Sequence, residues 1–361
     1  MISSSADCER GRPGPCVDLP EGLECGVEVG ARDGSRMTAG VKDAARRCAR
    51  ILVAVTLLLA ACGSEEPGPS RRLGSTDTAQ IGDIAWNRDG RLFALYTHGS
   101  DSDFGLAEFT DGGDLRPVEV LPGGFCARPA FFDLATLPDG GLGAVVTCDE
   151  GDERFAVRID GQQLVRLASL GANRLIKWNP DMRTGWLELV TGYCRAVGLF
   201  QNGEALPFPP YHPSDVLEMD LQAAFTKGKT CAESGRAGFA DVAGDGKLYL
   251  LASDSARGRF EKPDAPWQPL VFDPRSGQLR KFGPELTSPY ALAVVPRSDS
   301  VVVTGAKGWR KGAWLVSSED GKAQLIAAGD LYAVAAAFDG SRVAVVHSVG
   351  GRDEVLEVKV K

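Results

Sequence analysis

From residue 79 onward, apolar and polar positions recur in one order: a short apolar stretch, a tight turn containing Asp, then an apolar strand of about six residues. Six copies can be read. The first runs Ile84-Ala85-Trp86-Asn87-Arg88-Asp89-Gly90 into LFALYT, and the second Leu134-Ala135-Thr136-Leu137-Pro138-Asp139-Gly140 into LGAVVT. The third, Ile176-Lys177-Trp178-Asn179-Pro180-Asp181 into WLELVT, repeats the Trp-Asn pair of the first. The others lead into LYLLAS, VVVTG and VAVVHS. Their turn aspartates are Asp89, Asp139, Asp181, Asp245, Asp299 and Asp339, at intervals of 50, 42, 64, 54 and 40 residues. Periods of about 40 to 50 residues are those of four-stranded propeller blades.

The second strands are apolar on both faces, as expected where each sheet is stacked between two others. The strands before the turns are Ala-rich (Ala85, Ala135, Ala291, Ala293 and Ala335 to Ala337), which suits a crowded axis. In the first copy, Gly105 to Thr110 and Leu115 to Leu121 read as two outer strands. The last copy holds only three strands, so residues just before Ile84 are expected to supply its fourth and close the ring. The expectation over 79–361 is an all-β, six-bladed propeller of four-stranded antiparallel blades, with seven blades or a pair of sandwiches as alternatives. The turns, most visibly Phe338-Asp339-Gly340-Ser341-Arg342-Val343, resemble those of TolB-type and WD40-like bacterial propellers; the Trp-Asp and Gly-His signatures of eukaryotic WD40 repeats are missing.

The N-terminal quarter carries a different pattern. Met37 to Arg50 holds Lys42, Arg46, Arg47 and Arg50 against the single acid Asp43, and the ten residues Ile51 to Ala60 are almost unbroken apolar. That is a signal-peptide plan, with an apolar run too short for the roughly 20 residues of a membrane-spanning helix. Leu59-Ala60-Ala61-Cys62, followed by Gly63 and Ser64, resembles the bacterial lipobox. The resemblance implies cleavage before Cys62 and a diacylglycerol on its thiol, with several acyl chains giving stable membrane residence. Residues 1–36 then read as an untranslated or disordered upstream segment, 37–61 as the signal peptide, and 62–78 as the lipidated cysteine and a flexible tether rich in Pro, Gly and charge. The expected address is the cell envelope, exported and membrane-anchored, with no cofactor beyond the lipid.

Charge narrows the partners. The first 61 residues hold 8 Lys+Arg and 8 Asp+Glu, so the remainder keeps the whole excess of acid: 40 − 8 = 32 basic against 48 − 8 = 40 acidic residues. An acidic domain argues against nucleic acid and leaves an envelope protein or a small ligand as partner. Four cysteines follow Cys62. Pairing Cys126 with Cys148 and Cys194 with Cys231 would close loops of 22 and 37 residues, worth on the order of 3 to 4 kcal/mol each.

Few residues suggest chemistry. His98 and His347, with Asp254, Asp149 or Glu150 from neighbouring loops, form a weak candidate metal set. Phe208, Tyr211 and Trp267, in the two long intervals, are candidate partner anchors. No phosphate loop, dinucleotide fingerprint, nucleophile elbow or zinc-protease helix occurs. The chain reads as a ligand- or protein-binding and assembly module without catalytic residues; a metal-dependent hydrolase or lactonase-like propeller enzyme is the alternative.

Overall fold

The computed structural model describes residues 70–76, 79–98, 104–148, 153–171, 173, 175–191, 194–209, 236–253 and 265–360. The signal segment, Cys62, Asp149, Glu150, Tyr211, Cys231 and Asp254 lie outside them, as do the side chains of His98 and Cys194. The chain divides into units Met1–Ser64 and Glu65–Lys361, and every described residue belongs to the second.

The described residues form antiparallel strands. The first, β1 (Ser70–Thr76), is followed by a meander of β2 (Ala79–Trp86), β3 (Leu92–His98), β4 (Gly105–Phe109) and β5 (Leu115–Pro117). A second meander holds β6 (Pro129–Thr136), β7 (Leu142–Cys148), β8 (Arg154–Asp160) and β9 (Gln163–Gly171), and a third β10 (Leu175–Trp178), β11 (Thr184–Thr191), β12 (Cys194–Gln201) and β13 (Glu204–Pro207). Next come β14 (Arg236–Val242), β15 (Leu248–Ser253), β16 (Pro266–Asp273) and β17 (Gln278–Lys281). After the two-residue β18 (Leu286–Thr287) the chain forms β19 (Leu292–Val294), β20 (Ser300–Lys307), β21 (Arg310–Ser317) and β22 (Ala323–Ala328), and ends with β23 (Leu331–Ala336), β24 (Arg342–Val349) and β25 (Arg352–Lys359).

The architecture is an all-β propeller, but the expected six separate four-stranded blades are not what the hydrogen bonding gives. Four sheets of four strands stand alone, while β14 to β22 join into one nine-stranded sheet. The cause is β18, which pairs with β16 on one side and β20 on the other and so stitches two meanders together. Between neighbouring meanders lie the buried clusters that hold the ring, such as Phe93, Leu95 and Leu106 packed on Phe131, Val146 and Phe155. Strand β15, buried at all six positions, shows why both faces had to be apolar.

Ring closure falls earlier in the chain than expected. Ser70–Thr76, inside the stretch read as tether, is a strand that pairs with β25 from Ser70↔Val358 to Thr76↔Asp353. The last sheet therefore combines the two ends of the propeller, and the unpaired edge of β25 captured a segment whose polar sequence gave no strand signal.

Four of the six Asp turns work as the repeat predicts, while Asn87 and Ser298 accept the turn N–H in the first and fifth copies. The carboxylates of Asp139, Asp181, Asp245 and Asp339 each accept the backbone N–H two residues on. Gly340 follows with φ 73°, and a Cβ there would run into the Pro296 carbonyl of the preceding meander, so turn geometry and inter-sheet packing both demand glycine. In the third copy Met182 takes this left-handed position at φ 54°.

Candidate functional site: a charged axial channel

Six innermost strands, β2, β6, β10, β14, β19 and β23, line one axial cavity of about 430 Å³. Each runs from the mouth of the channel down to its Asp turn. Three of the first four carry an acid just after a bulge that offsets the strand from its partner: Asp83 on β2, Asp133 on β6 and, two residues nearer its turn, Asp241 on β14. The fourth strand, β10, is regular and presents Lys177 instead.

Two of the acids are inter-sheet staples. Asp83 accepts N–H bonds from Ile84 (2.8 Å) and from Leu134 on the next inner strand (2.9 Å); Asp241 accepts them from Val242 (2.9 Å) and from Val294 (2.8 Å). Glu188, buried on β11, takes the N–H of Ala240, and Asp353 on β25 takes that of Ile81 at 2.8 Å. Each carboxylate satisfies a backbone donor that a bulge or strand end leaves unpaired near the axis.

Asp133 and Lys177 depart from this pattern. Asp133 faces Asp83 and the ammonium of Lys177; burial pushes its carboxyl well above the ordinary range, Lys177 opposes that push, and the charge of Asp83 adds to it. Asp241 is raised as well, by burial against the pull of Lys177 and its two N–H donors. For Lys177, burial would lower the pKa, but the summed fields of Asp133, Asp241, Asp83 and Glu188 win and raise it, so the ammonium stays charged. It lines the cavity and is only half-buried. Among the described residues it makes no hydrogen bond and no close ion pair.

The mouth is aromatic. Phe132 and Tyr290 are 45% and 59% exposed there, with Phe239 and Tyr332 beside them. Arg195 stacks on Phe239 at 4.0 Å while reaching Glu188 at 3.4 Å, and Arg154 stacks on Phe132 at 5.1 Å. Phe239 holds its place with a left-handed φ of 54°. Cys126 and Cys148 form a disulfide at this end, tying the chain before β6 to the end of β7.

The residues singled out from sequence fare unevenly. Phe208 is not an exposed anchor: it is 1% exposed, wedged against Trp186 and Phe272. Trp267 is likewise buried, on β16, with Phe239 against its edge and Arg236 over its face. The long intervals of the repeat are not all loop: Phe208 lies in a buried core cluster and Trp267 on a strand. His347 sits mid-sheet opposite Leu331 and Glu354, its imidazole above Gly329. Among the described residues no group of three His, Cys, Asp or Glu is placed to hold a metal ion. The sequence carries a signal for two of the channel acids: Asp83 and Asp133 each lie six residues before a turn aspartate.

Radially arranged antiparallel sheets around a charged axial cavity define a β-propeller. Its likeness to solved structures agrees: a TolB candidate from Agrobacterium tumefaciens superposes with a TM-score of 0.53 at 12% identity, covering 81% of this chain and 94% of that one. TolB from Acinetobacter baumannii (TM-score 0.46, 13% identity, 79% of this chain and 64% of that one) and the β-propeller domain of Cps50 (Swd1) from Myceliophteria thermophila (0.43, 13%, 78% and 84%) are also similar. At such identities the first likeness speaks to the fold alone. No protein-family model matches the chain, and no curated protein matches it.

Proposed function

We propose that this protein is an exported, lipid-anchored propeller that binds a ligand or protein partner through the mouth of its axial channel. The observation that carries the binding role is the channel itself: a cavity of ligand size, apolar at the rim, with a charged, incompletely bonded group at its centre. Cys62 in its lipobox-like context supplies the anchor.

Register supports an orientation. Ser70 pairs with Val358 at the turn end of the last sheet, and Thr76 with Asp353 at the mouth end. The chain therefore enters the propeller from the turn face. Seven residues, 63 to 69, separate Cys62 from β1, and the eight steps from Cys62 to Ser70 reach at most about 28 Å when fully extended. An anchor at Cys62 holds the turn face toward the lipid and turns the mouth away from it, toward diffusing partners.

The test is site-directed photo-crosslinking in membranes carrying the full chain, with the crosslinker at position 290 or, as control, at position 275 on the turn face. Selective capture from position 290 is expected; equal or preferential capture from 275 would reject the mouth as the binding face.

A further inference from the structure

We infer that the channel takes a neutral, hydroxyl-rich ligand of mono- or disaccharide class, held by Lys177 and Asp133 and stacked on Tyr290. This deepens the reading of the channel as the binding site and rests on it.

Charge selects the class. Asp83, Asp133, Asp241 and Glu188 face the cavity against Lys177 and Arg195, so the walls carry both signs at close quarters. A compact anion that approached Lys177 would also meet the acids that line the same cavity, Asp83 and Glu188 among them, and an organic cation would meet the ammonium itself. A hydroxyl group avoids both penalties, since it accepts from an ammonium and donates to a carboxylate in the same pose.

Bonding capacity selects the residues. Asp83 and Asp241 already have both oxygens engaged by backbone N–H groups, so they are framework. Lys177 and Asp133 both line the cavity, and among the described residues neither side chain is bonded to a backbone N–H or held in a close ion pair, which leaves these two with capacity to spare.

Shape selects the same class. The apolar face of a pyranose is satisfied by an exposed aromatic ring. Phe239 already carries Arg195 on its ring and Phe132 carries Arg154, whereas Tyr290 is 59% exposed at the rim. A volume of about 430 Å³ falls within the range of small-ligand sites.

Saturation-transfer NMR and calorimetry on the full chain in detergent would use lactose, maltose, cellobiose and trehalose as neutral probes, putrescine as cation and glucuronate as anion. Binding of at least one disaccharide is expected. It should weaken about tenfold in Lys177→Met, the scale of one lost charged hydrogen bond, and severalfold in Tyr290→Ala, a surface change that leaves the fold intact. Disaccharide binding unaffected by either variant would overturn the proposal, as would failure of all four. Lys177-dependent binding of putrescine or glucuronate alone would overturn the ligand class and leave the channel as the site. Failure of every probe, together with loss of crosslinking at position 290, would remove both.

Discussion

Lys177 shows how one residue balances the charges that the architecture gathers at the axis. Its charge offsets the acids that staple neighbouring sheets, so replacing it with Met leaves those acids facing one another in a poorly solvated space. Removing one partner from a buried charge set costs about 3 to 5 kcal/mol, and the half-buried position of Lys177 should hold the loss to about 3. Chemical denaturation of Lys177→Met measures it. Asp133 gives a prediction of the opposite kind. Its folded pKa is raised, so its contribution to stability is complete below the ordinary carboxylate range and is lost as pH climbs through the raised value. Asp133→Asn cannot ionise. The stability of the variant relative to wild type should therefore rise as pH increases from 4 to 8, and a flat or falling difference in urea midpoints would contradict the assignment. Glu108, itself buried, is held below its ordinary range, first by its hydrogen bond to Arg91 and also by Arg116, two arginines whose heads stay in solvent.

Among elements, β1 and the disulfide bear different loads. Strand β1 covers the edge of β25 along six paired positions, and its Leu73 packs against the core shared by the first and last sheets. A chain beginning at residue 70 should melt like the one beginning at residue 62. A chain beginning at 78 should melt several degrees lower, because it exposes that edge and opens the ring. The Cys126–Cys148 bond closes 22 residues, and a Cys126→Ser, Cys148→Ser pair should lose on the order of 3 kcal/mol by the loop-entropy model. Calorimetry with and without reductant separates this loss from any effect of the serines themselves. Strand β18 is the smallest element with a large topological effect. Two residues suffice to merge two meanders, since pairing one edge on each side is enough to continue a sheet.

For the whole molecule, the consequence to test is where it resides. A chain with intact Cys62 should fractionate with membranes and move to the soluble fraction as Cys62→Ala, with metabolic labelling by palmitate lost in parallel. Membrane residence of the variant would point to an anchor other than the lipid. The acidic excess over residues 62–361 suits a surface that stays free of nucleic acid and of anionic headgroups, apart from local basic tips such as Lys307, Arg310 and Lys311 around the exposed Trp309.

Local physics explains what could be read along the chain. The Asp-Gly turns, the apolar second strands and the Ala-rich inner strands depend on neighbours within a few residues, so the repeat, the all-β class and the stacking of sheets on both faces were legible from periodicity and turn chemistry. The lipobox-like segment is likewise a local pattern. Only the tertiary structure decided which strands share a sheet, because β18 and β1 join partners through backbone hydrogen bonds that their side chains do not announce. It also decided that Phe208 and Trp267 are core and that Asp133 and Lys177 line one cavity, since burial and charge proximity are set by residues up to hundreds of positions apart, brought together when the ring closes.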